Sequence, residues 1–270
     1  MTAEFGLVGG DWRHTTDGHT GLCTTHGKIS ELWKWDYENK VDSIFYIDEY
    51  IYQGLSDDKE DKYGWLVESK YVSPPQMLDH IKNNYEEYFN SYVYIFTHSK
   101  DLLDLDSRFK FVPATGTWIK DIKICDKSKM ISMISSSKNF TDGHEHRLMW
   151  VEDLKDDLDL FGREFNPIDN KEDGLCDYMF SVAIENGEYE TYFTEKVLDC
   201  FATGTVPIYC GAPDIDDHFN SDGIIFLNSE FDVSDLSEEL YFSKMDAIKD
   251  NLERVKAMEI PEDYILENYL

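Results

Sequence analysis

The chain has 270 residues, with 25 Lys or Arg against 55 Asp or Glu, a formal net charge of −30. Phosphate backbones and anionic headgroups repel such a surface, and no Lys/Arg-rich cluster offsets it, so nucleic acid and membrane surfaces are excluded as partners. Hydrophobic residues at 41% supply enough apolar material for one large core or two smaller ones, which excludes disorder.

Alternating apolar runs mark strands in chain order at Phe5–Gly9, Ser43–Asp48, Gly64–Glu68, Tyr92–Thr97 and Phe109–Pro113. Further on they recur at Lys129–Ser135, Leu158–Gly162, Tyr178–Ile184, Thr205–Cys210 and Gly223–Leu227. Helical spacing lies between them. Pro74-Pro75 is placed to open a helix carrying Met77, Leu78, Ile81, Tyr85 and Tyr88. Val197, Leu198 and Phe201 share one face of a helix over Thr194–Ala202, and Ser234–Met258 reads as one or two acidic surface helices.

Strands alternating with helices imply parallel sheets covered on both faces. The pattern divides into two Rossmann-like halves, 1–120 and 121–270, with a hinge expected at the polar stretch Trp118–Lys129; one continuous sheet is the alternative. The five cysteines, Cys23, Cys125, Cys176, Cys200 and Cys210, are scattered without a C-x-x-C pair, so neither a disulfide framework nor a zinc knuckle is expected. The N-terminus lacks the layout of a signal peptide, and no apolar stretch approaches the roughly 18–20 residues of a membrane span. A cytoplasmic location is the resulting expectation.

Gly6-Leu-Val-Gly9-Gly10 falls short of a dinucleotide fingerprint and reads as a glycine turn. His14, Asp17, His19 and His26 match no zinc spacing and read as a polar loop. The D-x-D triplets Asp104–Asp106, Asp157–Asp159 and Asp214–Asp216 arise easily in so acidic a chain and imply no metal. More telling is Phe180-Ser-Val-Ala-Ile-Glu-Asn186, a buried strand ending in polar residues, followed by Tyr192-Phe-Thr-Glu-Lys196. Thr194 is an N-cap residue, and the free N–H groups it precedes suit phosphate oxygens. Lys196 in the first helical turn opposes the helix dipole unless an anion binds nearby; a solvent-facing pair is the plainer alternative.

Together with Ala202-Thr-Gly-Thr-Val-Pro-Ile-Tyr-Cys-Gly-Ala-Pro213, this block resembles the family-10 glycosyltransferases, the α-1,3/4-fucosyltransferases. Leu158–Gly162, and Lys129–Ser136 with the following Arg147, extend the resemblance over residues 128–228, with a weaker likeness over 64–119. The resemblance implies a GT-B-like α/β fold of two facing Rossmann-like domains with the active site in the cleft. It implies an inverting transfer of fucose from GDP-fucose to a hydroxyl of a glycan; with the D-x-D triplets set aside, no metal cofactor is indicated. Carried over residue by residue, Glu195 meets the ribose, Lys196 and Arg147 meet the diphosphate, and Asn186 and Tyr192 line the same pocket. Glu68 matches the general base at the end of an N-terminal strand, with Asp48 and Glu49 as rivals. Another nucleotide sugar, or a non-catalytic glycan- or nucleotide-binding protein on the same fold, are the alternatives.

Overall fold

The computed structural model describes residues 2–10, 13–16, 19–70 and 76–270; Asp17 and the Pro74-Pro75 pair lie outside the described residues. The chain separates into two compact units, Met1–Gly116 joined by Glu259–Leu270, and Thr117–Met258. No helix among the described residues is long and apolar enough to cross a membrane.

The first unit contains β1 (Ala3–Val8), β2 (His14–Thr16), β3 (His19–Gly21), β4 (Trp33–Asp36), β5 (Ser43–Ile47), β6 (Asp61–Leu66), β7 (Tyr94–Thr97) and β8 (Phe109–Phe111). β2 and β3 form an antiparallel hairpin where the sequence reading had a polar loop. The other strands form one parallel sheet in the order β4-β1-β5-β6-β7-β8. β5 shows why these runs are largely apolar. Ile44 and Tyr46 pack on one side with Ile51, Ile81 and Tyr88, while Phe45 and Ile47 pack on the other with Trp33 and Trp65. A parallel strand buried on both faces has no polar side to alternate with. At the end of β1, Gly9 turns at φ +93 against the Tyr50 ring, which a Cβ would strike at 2.5 Å; the glycine turn has a packing reason.

The last helix, Pro261–Tyr269, belongs to this first unit, so the division differs from an assignment of 121–270 to the second. Its Ile265 is fully buried in the β5 face that holds Phe45 and Trp65. Its Glu262 accepts hydrogen bonds from the Leu22 and Cys23 amides at 2.8 and 3.0 Å and from the Trp35 indole at 3.4 Å.

The second unit holds β9 (Lys129–Ile134), β10 (Asp159–Phe161), β11 (Tyr178–Ile184), β12 (Val206–Cys210) and β13 (Ile225–Phe226), all parallel, in the order β10-β9-β11-β12-β13. Phe180, Val182 and Ile184 face Val151, Leu154, Tyr241 and Ile248, whereas Ala183 and Tyr209 face Val197, Leu198 and Phe201. The expected acidic stretch forms two helices, Glu238–Ser243 and Met245–Lys256, whose apolar faces close these layers.

Two expectations are corrected here. Trp118–Lys129 is not a free hinge: the Lys123 and Cys125 amides donate to Ala202 and Thr203, docking the segment on the Glu195–Thr203 helix. Cys125 and Cys176, far apart in sequence, meet as a disulfide because the segment before β9 and the turn before β11 end side by side.

Candidate active site

In the second sheet the chain starts at β9, runs outward to β10, then returns to β11 on the other flank of β9. The connections leave β9 and β11 in opposite directions, opening a crevice at their carboxyl ends, the preferred ligand position in open α/β sheets. A cavity of about 270 Å³ lies there, lined in part by Ser135 and Ser136 beyond β9, Ile184 of β11, and Glu195 and Lys196 at the start of the Glu195–Thr203 helix.

That helix starts where expected. Thr194 is its N-cap, and its hydroxyl accepts from the Lys196 amide. The anion that offsets Lys196 is in part built in. Glu185, fully buried, accepts from the Thr194 amide at 2.8 Å and its hydroxyl at 2.6 Å, and lies 3.4 Å from the Lys196 ammonium. Burial nonetheless raises the Glu185 acid above its ordinary value, against the opposing pull of Lys196. Glu195 lies 3.4 Å from Lys196 and 3.6 Å from Lys171. Burial works against its charge, but the two ammonium groups prevail and hold its acid down at about 2.

Lys171 also meets Asp199 at 2.9 Å and stacks over the Trp118 ring at 4.4 Å. Asp199 in turn accepts from the Thr117 hydroxyl at 2.7 Å and the Trp118 amide at 2.8 Å. Arg147 comes from the helix Asp142–Leu154, capped by Thr141. Its guanidinium donates to Asn186 Oδ1 at 3.0 Å and Ser136 Oγ at 3.2 Å, while its buried Nε has no partner among the described residues. Cations from three elements thus converge on one cavity in a protein of net charge −30. A fork-shaped guanidinium and two ammonium groups suit an anion with several oxygens.

In the first unit, Glu68 lies just past β6, and its amide donates to the carboxylate of Asp48 at 3.1 Å. Of the D-x-D residues, Asp106 pairs with Arg108, Asp159 with Lys129 and Tyr178, and Asp214 receives the Thr191 amide, so each carries local structure. His146, Glu188 and Cys210 also gather their polar atoms within 4.8 Å. The Trp150 indole N–H can only donate, and it meets His146 Nε2 at 3.0 Å. The other ring nitrogen, Nδ1, lies 3.7 Å from Glu188 Oε1 and 3.9 Å from Cys210 Sγ.

Residues 124–251 match the family model of the glycosyltransferase family 10 (fucosyltransferase) C-terminal domain. The second unit carries a family-10 glycosyltransferase domain. Over 53 residues the chain is 38% identical to an alpha-(1,3)-fucosyltransferase of Helicobacter pylori, covering 20% of this chain and 11% of that protein. Over 180 residues the chain is 27% identical to GDP-fucose protein O-fucosyltransferase 3 of Homo sapiens, covering 56% of this chain and 36% of that protein. The chain thus spans little more than a third of these curated relatives at most. Across both units, the fold is that of a solved alpha1,3-fucosyltransferase with GDP, at a TM-score of 0.56 and 14% identity, covering 99% of this chain and 91% of that one. A second alpha1,3-fucosyltransferase structure matches at a TM-score of 0.53 and 15% identity, covering 96% of this chain and 81% of that one. These matches establish the α/β, GT-B-type fold.

Within the family-10 domain, Arg147, Glu195 and Lys196 line the cavity, and Asn186 supports Arg147 from beside it. Tyr192 is buried in a parallel stack on Tyr189, with ring centroids 4.6 Å apart, and is not part of the cavity lining. The domain also recruits Lys171, Glu185, Asp199, Ser136 and Arg163, none of which the motif reading assigned a role. Glu185 directly precedes Asn186 at the end of the buried strand. Lys171 sits in a run of charged residues that reads as surface loop, and only the placement of that run over the Glu195–Thr203 helix reveals it.

Proposed function

We propose that the chain is an inverting fucosyltransferase that moves fucose from GDP-fucose to a hydroxyl group of a glycan. The observation that carries this reading is the convergence of Arg147, Lys171 and Lys196 on the cavity at the β9/β11 switch point. The names of the relatives point the donor to GDP-fucose.

In this reading Glu195 receives the ribose hydroxyls, and Arg147 and Lys196 take the diphosphate, with Arg147 aimed by Asn186 and Ser136. An acceptor oxygen attacks the anomeric carbon as the bond from that carbon to the phosphate oxygen breaks. The sugar passes through a cationic state, and the electron pair leaves with GDP. Fixed cations already facing the phosphates stabilise charge that grows as the bond breaks, without reorganisation at that moment. Glu68 is the proposed base that takes the acceptor proton. We also propose that no metal is needed, the guanidinium and ammonium groups filling that role; chelation with EDTA then leaves turnover unchanged.

Calorimetry with GDP and GDP-fucose tests the donor assignment. Wild type is expected to bind in the micromolar to millimolar range, and Lys196→Ala or Arg147→Ala to weaken binding by about 2–3 kcal/mol, the scale of a charge-assisted contact. Binding that survives both substitutions would overturn the assignment. Release of GDP from a panel of nucleotide sugars tests the sugar, since faster release from any other donor would displace fucose.

A further inference from the structure

The β5, β6 and β7 strands are neighbours, and the ladder that joins them stops at Trp65 on one side and Leu66 on the other. Past that point, among the described residues, neither ladder continues over Val67 and Glu68. Buried amides and carbonyls still need partners. Asp48, immediately after β5, supplies them: its Oδ1 accepts from the Val67 amide at 2.9 Å and the Glu68 amide at 3.1 Å. His98, immediately after β7, meets the Val67 carbonyl through Nε2 at 3.3 Å. Burial pushes the His98 ring down to about 4, so it is neutral, and the carbonyl contact requires the proton on Nε2. Side chains just past both flanking strands therefore take over where the sheet's own hydrogen bonds end, and they hold the main chain of Val67 and Glu68.

This arrangement is costly. Asp48 has φ +48, in the left-handed region where residues with a Cβ are uncommon and Asn and Asp are best tolerated. It is only 3% exposed, and its second oxygen, Oδ2, has no partner among the described residues. Burial raises its acid to about 7, despite the two amide bonds that favour the carboxylate. Backbone strain and a buried orphan oxygen at the carboxyl end of a sheet are features that persist where function requires a fixed geometry.

We propose that Asp48 and His98 form a clamp that fixes the main chain carrying Glu68, with Asp48 a positioning residue that acts through its hydrogen-bond acceptor and not through its charge. The clamp deepens the reading of Glu68 as the base and rests on it. Asp48 is thereby a support for Glu68 and not its rival.

Two substitutions separate geometry from charge. Asp48→Gly tolerates the positive φ and removes the acceptor, whereas Asp48→Asn keeps an acceptor oxygen and also tolerates that φ. The readouts are GDP release from GDP-fucose and amide hydrogen exchange at Val67 and Glu68. Asp48→Gly is expected to lower kcat by about a hundredfold with the donor KM unchanged, and Asp48→Asn to stay within about threefold of wild type. Exchange at the two amides should rise at least about tenfold in the Gly variant and not in the Asn variant. If Asp48→Asn is as slow as Asp48→Gly, the carboxylate itself is required and the clamp is overturned; wild-type behaviour of Asp48→Gly overturns it equally. Should Asp48→Gly not fold, as judged by loss of amide protection along β5 and β6, His98→Phe removes the other jaw and is expected to lower kcat at constant donor KM. If wild type releases no GDP from GDP-fucose, the transferase reading fails on its own, and amide exchange alone decides the clamp.

Discussion

At Lys171 an ammonium group lies 2.9 Å from Asp199 and 3.6 Å from Glu195, above the face of Trp118. Burial opposes its charge, yet the two carboxylates raise its affinity for the proton above the ordinary lysine value. Lys171→Met would leave two buried carboxylates short of a cation, and the expected loss is about 3–5 kcal/mol in the stability of the second unit. Urea denaturation followed within that unit checks this, and Asp199→Asn in the Lys171→Met background should recover part of the loss. Glu195 works in the other direction. Its folded value near 2 lies below the usual 4.5, so its contribution is complete above that usual value and is lost as pH falls toward 2. Glu195 and Lys196 were legible in the sequence because they adjoin an N-cap threonine after a strand, a local pattern with a physical meaning. Lys171 was not. Its partners come from a different element, and nothing in the residues beside it marks it.

The closing helix Pro261–Tyr269 shows the same contrast one level up. Proline at its first position and an apolar Ile265 mark a helix, but its residence in the first unit depends on where its face finds a complement. Glu262 is the polar part of that complement. Burial raises its acid to about 7, even though three N–H groups on one oxygen favour the charged form. The folded value lies above the ordinary 4.5, so the folded helix holds a proton that the unfolded chain has released between those two pH values. Stability contributed by Glu262 is therefore full below pH 4.5 and falls as pH rises toward 7, by about 3 kcal/mol in all. Glu262→Gln cannot titrate, and it should flatten this dependence. Exchange of the Leu22 and Cys23 amides, measured from pH 5 to pH 8 after correction for intrinsic rates, reports it. An unchanged slope in the variant would remove Glu262 as the cause.

For the molecule as a whole the charge of −30 sets the background against which an anion must bind. Long-range repulsion is screened beyond about 8 Å at physiological ionic strength, whereas contacts inside a cavity are screened far less. Affinity for GDP is therefore expected to rise, or change little, between low and moderate salt. Calorimetry across that range checks it, and a steep fall would mean that exposed cations, not Arg147 and Lys196, carry the binding. The sequence by itself determined that parallel sheets form, because strand runs buried on both faces are predominantly apolar, and it left one sheet or two undecided. It also determined the helix start at Thr194, because capping acts within a few residues. The tertiary structure alone decided the partners: Lys171 beneath Glu195, Cys125 against Cys176, the closing helix in the first unit, and Asp48 and His98 around Glu68. Those pairings depend on strand order and on which carboxyl ends fall side by side, and strand order is a property of the whole sheet that local periodicity does not encode.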